Sequence, residues 1–262
     1  ENSIAAIKNV AGLGAHIVEI DLRMSKDGIP ILMHDDTLER TTDQEERFPE
    51  KTQPQDLTMD ELQELVLYDP QGVCETNSLN DSDHTERCRI PTLQDAILAA
   101  KDRAILMLDY KNGNLETIAQ VLNDTDAHAH VFFFDADTDN LDTMEALVPG
   151  LITMARANDA TSTNQLIDAR SPVLLHIDPG YLDEAHLAAQ TSQTKLLLNV
   201  FLVSDLYLIG DELADGNEEN RDLAAASLHD LLYRGAQLIQ TNRPKETREL
   251  CDEWVNLNAA SN

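Results

Sequence analysis

The chain has 262 residues, enough for one α/β barrel, and its hydrophobic content of 42% can fill a sizeable core. It carries 48 acidic against 19 basic residues, a formal net charge of -29, and such a surface repels nucleic acid and anionic membranes. Since no apolar run approaches ~18 residues, we expect no stable membrane insertion. The acidity favours a periplasmic or secreted protein, with the cytoplasm as the alternative.

The first forty residues predict one helix and two closely spaced strands. The helix is expected at 2–11, with Asn2 or Ser3 as its N-cap. A strand follows at 16–22, and a Lys-Asp-Gly turn leads into a second strand at 30–34. The pair contributes either one strand or two to the main sheet.

Residues 40–90 are polar, and we predict an irregular insertion there, with 3₁₀ turns. One helix is expected near 59–66, because Thr58 begins a capping-box pattern. Two cysteines, Cys74 and Cys88, flank a loop within the insertion. A disulfide that closes this loop is expected in an oxidising compartment, and two unpaired thiols are the alternative.

Beyond the insertion, apolar strands alternate regularly with amphipathic helices. No linker or change of composition divides the chain, so we predict a single domain over residues 1–262. The strands are expected at 104–110, 130–136, 151–156, 173–178, 195–201 and 236–242, and the helices near 92–100, 114–123, 139–147, 162–169, 182–190, 221–234 and 244–256.

These strands are apolar along their length, which is typical of a parallel sheet buried on both faces. Two architectures fit the alternation: a closed (β/α)₈ barrel and an open doubly wound sheet. No glycine-rich phosphate-binding fingerprint follows any predicted strand, which disfavours an open-sheet nucleotide-binding protein.

Polar residues follow several strands, at the edge where parallel α/β folds collect their functional groups. Glu19 and Asp21 are two residues apart on one strand, so they share a face and need a cation or a proton between them. Oxygen ligands favour Mg²⁺ or Ca²⁺. His34 ends the next strand, and Asp109 and Lys111 repeat the two-residue spacing. Each feature alone is more typical of an acidic edge, a structural histidine or an ion pair.

Two later strand ends offer further candidates for substrate contact. His176 and Asp178 share a face, and Asn199 ends the following strand. The alternative for these residues is a hydrogen-bonded rim.

Taken together, the motifs are more specific. The segment Glu1–Thr42 contains Glu-Asn-Ser, a helix, Gly-Ala, Glu-x-Asp, Lys-Asp-Gly, His-Asp and Arg-Thr-Thr in order. It resembles the amino-terminal signature of the glycerophosphodiester phosphodiesterase family. The resemblance continues with Asp-Leu-Thr and Glu-Leu within 56–62, Ile-Pro-Thr-Leu at 90–93, acid-x-Lys at 109–111 and Gln-Thr-Asn-Arg-Pro at 240–244.

The resemblance implies a (β/α)₈ barrel that hydrolyses a small-molecule phosphodiester to glycerol 3-phosphate and an alcohol, in lipid and glycerol metabolism. It implies Glu19, Asp21 and Asp109 as ligands of one divalent cation, although the family usually has Glu where this chain has Asp109. It also implies His34 as one of two catalytic histidines and Lys111 as a group that neutralises the phosphate.

The family's other catalytic histidine lies in a His-Arg-Gly segment upstream of Glu1. We therefore expect the first barrel strand and this histidine to be truncated from the sequence, and the chain as it stands to have little activity. Two alternatives stay open: a phospholipase-D-like relative that acts on lysophospholipid or sphingolipid, and a non-catalytic phosphate-binding barrel that lacks one catalytic histidine.

Overall fold

The structure is a computed structural model, and it describes residues 1–68, 89–190, 192–199 and 218–259. Within these ranges, no helix is long and apolar enough to cross a membrane. Both cysteines of the expected disulfide, Cys74 and Cys88, lie outside the described residues.

The chain divides into two compact units, which are described separately. The first contains Glu1–Gly12, His16–Phe134 and Asp142–Ile152, and the second contains Leu13–Ala15, Asp135–Leu141 and Thr153–Asn262. The single domain over residues 1–262 stays a prediction.

The first unit is built around four strands, which are β1 (Ile17–Met24), β2 (Pro30–Leu32), β3 (Ile105–Tyr110) and β4 (Val131–Asp135). Their order in the sheet is β2-β1-β3-β4. Strand β1 is parallel to β3, and β3 is parallel to β4, whereas β1 and β2 form an antiparallel hairpin. Consecutive apolar residues of β3 and β4 are buried, as expected for strands covered on both faces.

The helices that flank the predicted strands agree with the predicted positions, whereas the short helix Gln44–Arg47 was not predicted. Ser3 caps the first helix, since its Oγ accepts a hydrogen bond from the backbone N–H of Ala6 at 3.1 Å. The helices are α1 (Ile4–Gly12), α2 (Gln44–Arg47), α3 (Met59–Leu62), α4 (Leu93–Ala100), α5 (Leu115–Asp124) and α6 (Thr138–Leu147).

The described part of the insertion is irregular, as predicted, but it has an apolar core. The cluster packs the insertion against the β2 strand and consists of Ile31, Met33, Leu38, Leu57, Met59, Leu62, Leu65, Leu67 and Ile90. The capping box of Thr58 at the start of α3 is confirmed. The predicted extent of this helix, to residue 66, is wrong. The backbone N–H of Val66 instead donates to Asp43 Oδ1 at 2.7 Å, because the chain has left the helix to form a bridge between Thr42 and Leu67.

The second unit has four parallel strands in the order β5-β6-β7-β8. The strands are β5 (Ile152–Arg156), β6 (Leu174–Ile177), β7 (Lys195–Asn199) and β8 (Leu238–Gln240), and the helices are α7 (Ala160–Arg170), α8 (Leu182–Ala189), α9 (Glu218–Tyr233) and α10 (Pro244–Ala259). The last two helices, α9 and α10, pack through Ala224, Leu228 and Leu250. The α/β class and all eight predicted strands are confirmed.

Candidate active site

Three carboxylates meet near the carboxyl ends of β1 and β3. The parallel register places Asp21 directly opposite Asp109, and Glu19 lies two residues earlier on the same face of β1. One oxygen from each of the three side chains lies within 4.8 Å of the others. The cluster therefore offers three ligand atoms of the type that a hard divalent cation prefers.

Lys111 follows β3 and reaches two members of the cluster. Its Nζ donates to Asp109 Oδ2 at 2.8 Å and lies 2.9 Å from Asp21 Oδ1. Its backbone N–H donates to the carbonyl of Leu22 at 3.1 Å, which ties the loop after β3 to β1. Lys111 thus supplies one positive charge to a group of three carboxylates.

The carboxyl groups show the electrostatic cost of this arrangement. Burial, and then the charges of Asp21 and Asp109, raise the pKa of Glu19 to about 8. Burial also raises the pKa of Asp109, although the hydrogen bond from Lys111 opposes the shift. Burial disfavours the charged form of Lys111, but its hydrogen bond to Asp109 and its ion pair with Asp21 outweigh this effect, so its pKa is raised. The cluster therefore holds more negative charge than its neighbours neutralise.

Asp21 provides a second sign that the cluster fits a cation. Its Oδ1 is buried and accepts no hydrogen bond of good geometry from any residue that the structure describes, although Lys111 Nζ is close. A buried carboxylate oxygen without a hydrogen bond is costly unless another partner neutralises it. A hard divalent cation would be such a partner, and the three carboxylates are the oxygen ligands it prefers. The residues present therefore fit the predicted cofactor.

Asn2 binds the other carboxylate oxygen of Asp21, a contact that the sequence pattern does not predict. Its Nδ2 donates to Asp21 Oδ2 at 2.6 Å, and its Oδ1 accepts from the backbone N–H of Asp21 at 2.9 Å. Asn2 adopts a left-handed backbone conformation, with φ of 48°. The expectation of Asn2 or Ser3 as a helix cap is thereby resolved, because Ser3 caps α1 and Asn2 binds the carboxylate.

His34 lies just beyond β2, on the chain segment that runs beside the end of β1. The N–H of Met33 donates to the carbonyl of Asp21 at 3.0 Å. The buried Arg23 donates from Nε and Nη2 to the carbonyl of His34, at 3.1 and 2.7 Å. The imidazole is 57% exposed, and a positive charge on it would lower the pKa of the Asp109 carboxyl group. The structure thus brings His34 into electrostatic range of the carboxylates.

The role of Arg23 was also missed, although the sequence carried a signal for it. Glu19, Asp21 and Arg23 continue the same two-residue spacing along one strand, so their side chains leave the same face. A buried arginine needs hydrogen-bond acceptors, and Arg23 finds them in the carbonyl of His34 and in the carboxylate of Asp36, 2.7 Å away.

The two candidates from later strands lie in the second unit. His176 is buried in β6 at 2% exposure, and burial, followed by the charge of Arg156, lowers its pKa to about 4. Arg156 forms an ion pair with Asp178 at 3.2 Å. Asn199 is the last residue of β7, and the placement of its side chain lies outside the described part of the chain. Substrate contact by His176 and Asn199 stays a prediction.

The fold is similar to solved structures of phosphodiesterases. A glycerophosphoryl diester phosphodiesterase from Parabacteroides distasonis superposes with a TM-score of 0.73 at 24% identity, over 97% of this chain and 81% of that chain. A phosphodiesterase from Oleispira antarctica, solved with the product sn-glycerol-3-phosphate, superposes with a TM-score of 0.68 at 20% identity, over 96% and 91% of the two chains. These similarities show the fold, and they confirm the predicted α/β barrel class.

A curated relative gives a closer match over a shorter segment. Glycerophosphodiester phosphodiesterase 1 of Rattus norvegicus is 37% identical over 97 residues, which are 37% of this chain and 25% of the relative. The match thus spans about a quarter of the length of that relative.

The fold and the acidic cluster define an α/β barrel with a candidate cation site at the carboxyl ends of its strands. Residues 1–224 match the model of the glycerophosphoryl diester phosphodiesterase family, and the chain belongs to that family.

Proposed function

We propose that this protein hydrolyses glycerophosphodiesters to glycerol 3-phosphate and an alcohol, with Mg²⁺ or Ca²⁺ as its cofactor. The observation that carries the proposal is the cluster of Glu19, Asp21 and Asp109, whose ligand atoms lie within 4.8 Å of one another in a member of this family. The complex of the Oleispira antarctica phosphodiesterase with sn-glycerol-3-phosphate supports the proposed product.

The three carboxylates would hold the cation, and Lys111 would offer its ammonium group to the phosphate. A divalent cation bound in this place would withdraw negative charge from the phosphodiester oxygens. Lys111 already lies within 2.9 Å of two carboxylate oxygens, so its charge is directed at the cluster. These groups together would offset the repulsion between a phosphodiester and a chain whose net charge is -29.

His34 would transfer the proton. The attacking group is a water molecule, or a neighbouring hydroxyl of the substrate that forms a cyclic phosphate which water then opens, and the leaving group is an alkoxide. His34 would either accept the proton from the attacking oxygen or donate one to the alkoxide as the phosphorus–oxygen bond breaks. Its half-exposed imidazole leaves room for substrate beside it.

The test is ³¹P NMR of glycerophosphocholine incubated with the full-length protein, which identifies the phosphorus product directly. We expect glycerol 3-phosphate to form with added Mg²⁺ or Ca²⁺, and its formation to stop with a chelator. His34→Ala should lower kcat by ~10²-fold or more. His128→Ala, at a half-exposed histidine that pairs with Asp126, is the control and should leave turnover unchanged.

Turnover that survives both the chelator and His34→Ala would contradict this mechanism. Preferential turnover of lysophosphatidylcholine would instead indicate a phospholipase-D-like enzyme. Saturable binding of glycerol 3-phosphate without any turnover of the diester would indicate a non-catalytic barrel.

A further inference from the structure

The imidazole of His34 is linked through a carboxylate to an arginine. His34 Nδ1 lies 2.7 Å from Asp35 Oδ1. Arg40 approaches the same carboxylate with two nitrogens, Nε at 2.5 Å from Oδ2 and Nη2 at 2.9 Å from Oδ1. Arg40 Nη2 also donates to Glu1. Asp35 thus lies between the imidazole and a guanidinium group that binds both of its oxygens.

This geometry determines which nitrogen of His34 carries the proton. The hydrogen bond from Arg40, and then that from His34, hold the pKa of Asp35 well below its usual range, so Asp35 is ionised. An ionised carboxylate can only accept hydrogen bonds, so the hydrogen in the contact must belong to His34 Nδ1. In a neutral imidazole the lone pair is then on Nε2, the nitrogen that does not face Asp35.

The backbone around His34 is fixed as well. Arg23 binds the carbonyl of His34 through two hydrogen bonds. The segment that carries Arg40 is closed by Thr42, whose Oγ1 donates to the carbonyl of Leu38 at 2.8 Å. The N–H of Leu38 in turn donates to the carbonyl of Thr52 at 2.9 Å. Arg40 therefore approaches Asp35 from an anchored segment.

We propose that Asp35 is a positioning residue for the reaction, which holds His34 in the Nδ1–H tautomer so that Nε2 exchanges the proton with the substrate, and that Arg40 holds Asp35 in place. This inference rests on the proposed function of His34. It gives a role to the His-Asp and Arg-Thr-Thr motifs beyond the role of the histidine itself.

The tautomer can be measured without any turnover. Two-bond ¹H–¹⁵N correlation spectra of the labelled full-length protein, in alkaline buffer, distinguish the two ring nitrogens, and the His34→Ala spectrum assigns the signals. We expect the Nδ1–H form in the wild-type protein. Asp35→Asn replaces an acceptor by an amide that can donate to Nδ1, so the population should move towards the Nε2–H form.

The kinetic test separates positioning from binding. Asp35→Asn should lower kcat for glycerophosphocholine by ~10²-fold, in line with the usual contribution of a general acid or base. Because Asp35 does not contact the phosphodiester in this scheme, KM should stay within about threefold. Glu39→Gln removes the same charge from an exposed residue of the same segment and should change neither the tautomer nor the kinetic constants.

The outcomes separate this inference from the proposed function. The positioning role is overturned if the Asp35→Asn variant keeps the wild-type tautomer, or if its kcat stays within about twofold of wild type, even if His34→Ala is inactive. Full turnover by His34→Ala would overturn the acid–base role of His34 and, with it, the catalytic part of this proposal. If Asp35→Asn does not fold, Arg40→Gln replaces it, with an expected loss of ~10-fold in kcat and a mixture of tautomers.

Discussion

The contact between Asn2 and Asp21 leads to the sharpest prediction about the cation site. Asn2→Gly removes both hydrogen bonds that Asn2 makes to Asp21. Glycine adopts the φ of 48° without strain, so the substitution adds no backbone strain to the measured change in stability. The neighbouring variant Ser3→Ala serves as the control, since it removes the cap of α1 and leaves Asp21 untouched.

The magnitude follows from the two contacts. The hydrogen bond to the carboxylate is charge-assisted and the other satisfies a backbone N–H, so we expect Asn2→Gly to lower the free energy of unfolding by about 2 to 3 kcal/mol. Ser3→Ala should cost about 1 kcal/mol, the usual value for an N-cap. Because groups that orient a metal ligand typically contribute 10- to 100-fold to affinity, Asn2→Gly should weaken cation binding by about that factor.

The assay is urea denaturation of both variants, together with calorimetric titration of Mg²⁺ and Ca²⁺. We expect lower stability in both variants, but weaker cation binding only in Asn2→Gly. The reasoning is refuted if Asn2→Gly binds the cation within about twofold of wild type, or if Ser3→Ala weakens binding equally.

Three further predictions concern Gly113, His176 and Asp109. A Cβ at Gly113, where φ is 128°, would lie 2.4 Å from Met24 Cγ, so Gly113→Ala should cost about 3 kcal/mol or more in urea denaturation. The control Gly28→Ala, which has φ of 78° and open space, should cost about 1 kcal/mol, and equal losses would contradict the contact. The pKa of His176 is lowered from 6.5 to about 4 in the folded protein. On acidification the unfolded state therefore binds a proton at His176 at a higher pH than the folded state does, so the free energy of unfolding falls as pH drops from about 6.5 to about 4. The loss should approach about 3 kcal/mol and disappear in His176→Gln, and denaturation curves with the same pH dependence in both proteins would refute this. Asp109→Asn should weaken cation binding by ~10-fold or more in calorimetric titrations, whereas Asp109→Glu should stay within about threefold of wild type. Equal affinities for all three would remove Asp109 from the site.

Strand geometry predicted that Glu19 and Asp21 share a face, whereas the family resemblance implied their role as cation ligands together with Asp109. Residues two apart on a strand share a face, so Glu19 and Asp21 had to point the same way. Parallel strands bring their carboxyl ends to one edge, and the register of β1 and β3 then places Asp109 opposite Asp21. The alternating pattern was regular enough to locate both strands.

The groups that hold these residues could not be predicted, because each depends on tertiary contacts between segments distant in sequence. Asn2 is separated from Asp21 by 19 residues, and Arg23 reaches the carbonyl of His34 across the β1–β2 hairpin. The end of α3 failed for the same reason, since Asp43 draws the N–H of Val66 out of the helical pattern.

Other expectations stay predictions. They are the disulfide of Cys74 and Cys88, the contact of Asn199 with substrate, the catalytic histidine expected upstream of Glu1, and the periplasmic or secreted location.

The central claim is that Glu19, Asp21 and Asp109 bind one divalent cation, and anomalous diffraction from crystals of the full-length protein soaked in Mn²⁺ tests it most directly. Manganese is a suitable probe because it accepts the same oxygen ligands as Mg²⁺ and Ca²⁺. We predict a single strong anomalous peak about 2.2 Å from an oxygen of each carboxylate, and its loss in Asp21→Asn. A well-occupied Mn²⁺ elsewhere, with these three carboxylates bound only to Lys111 and Asn2, would contradict the account.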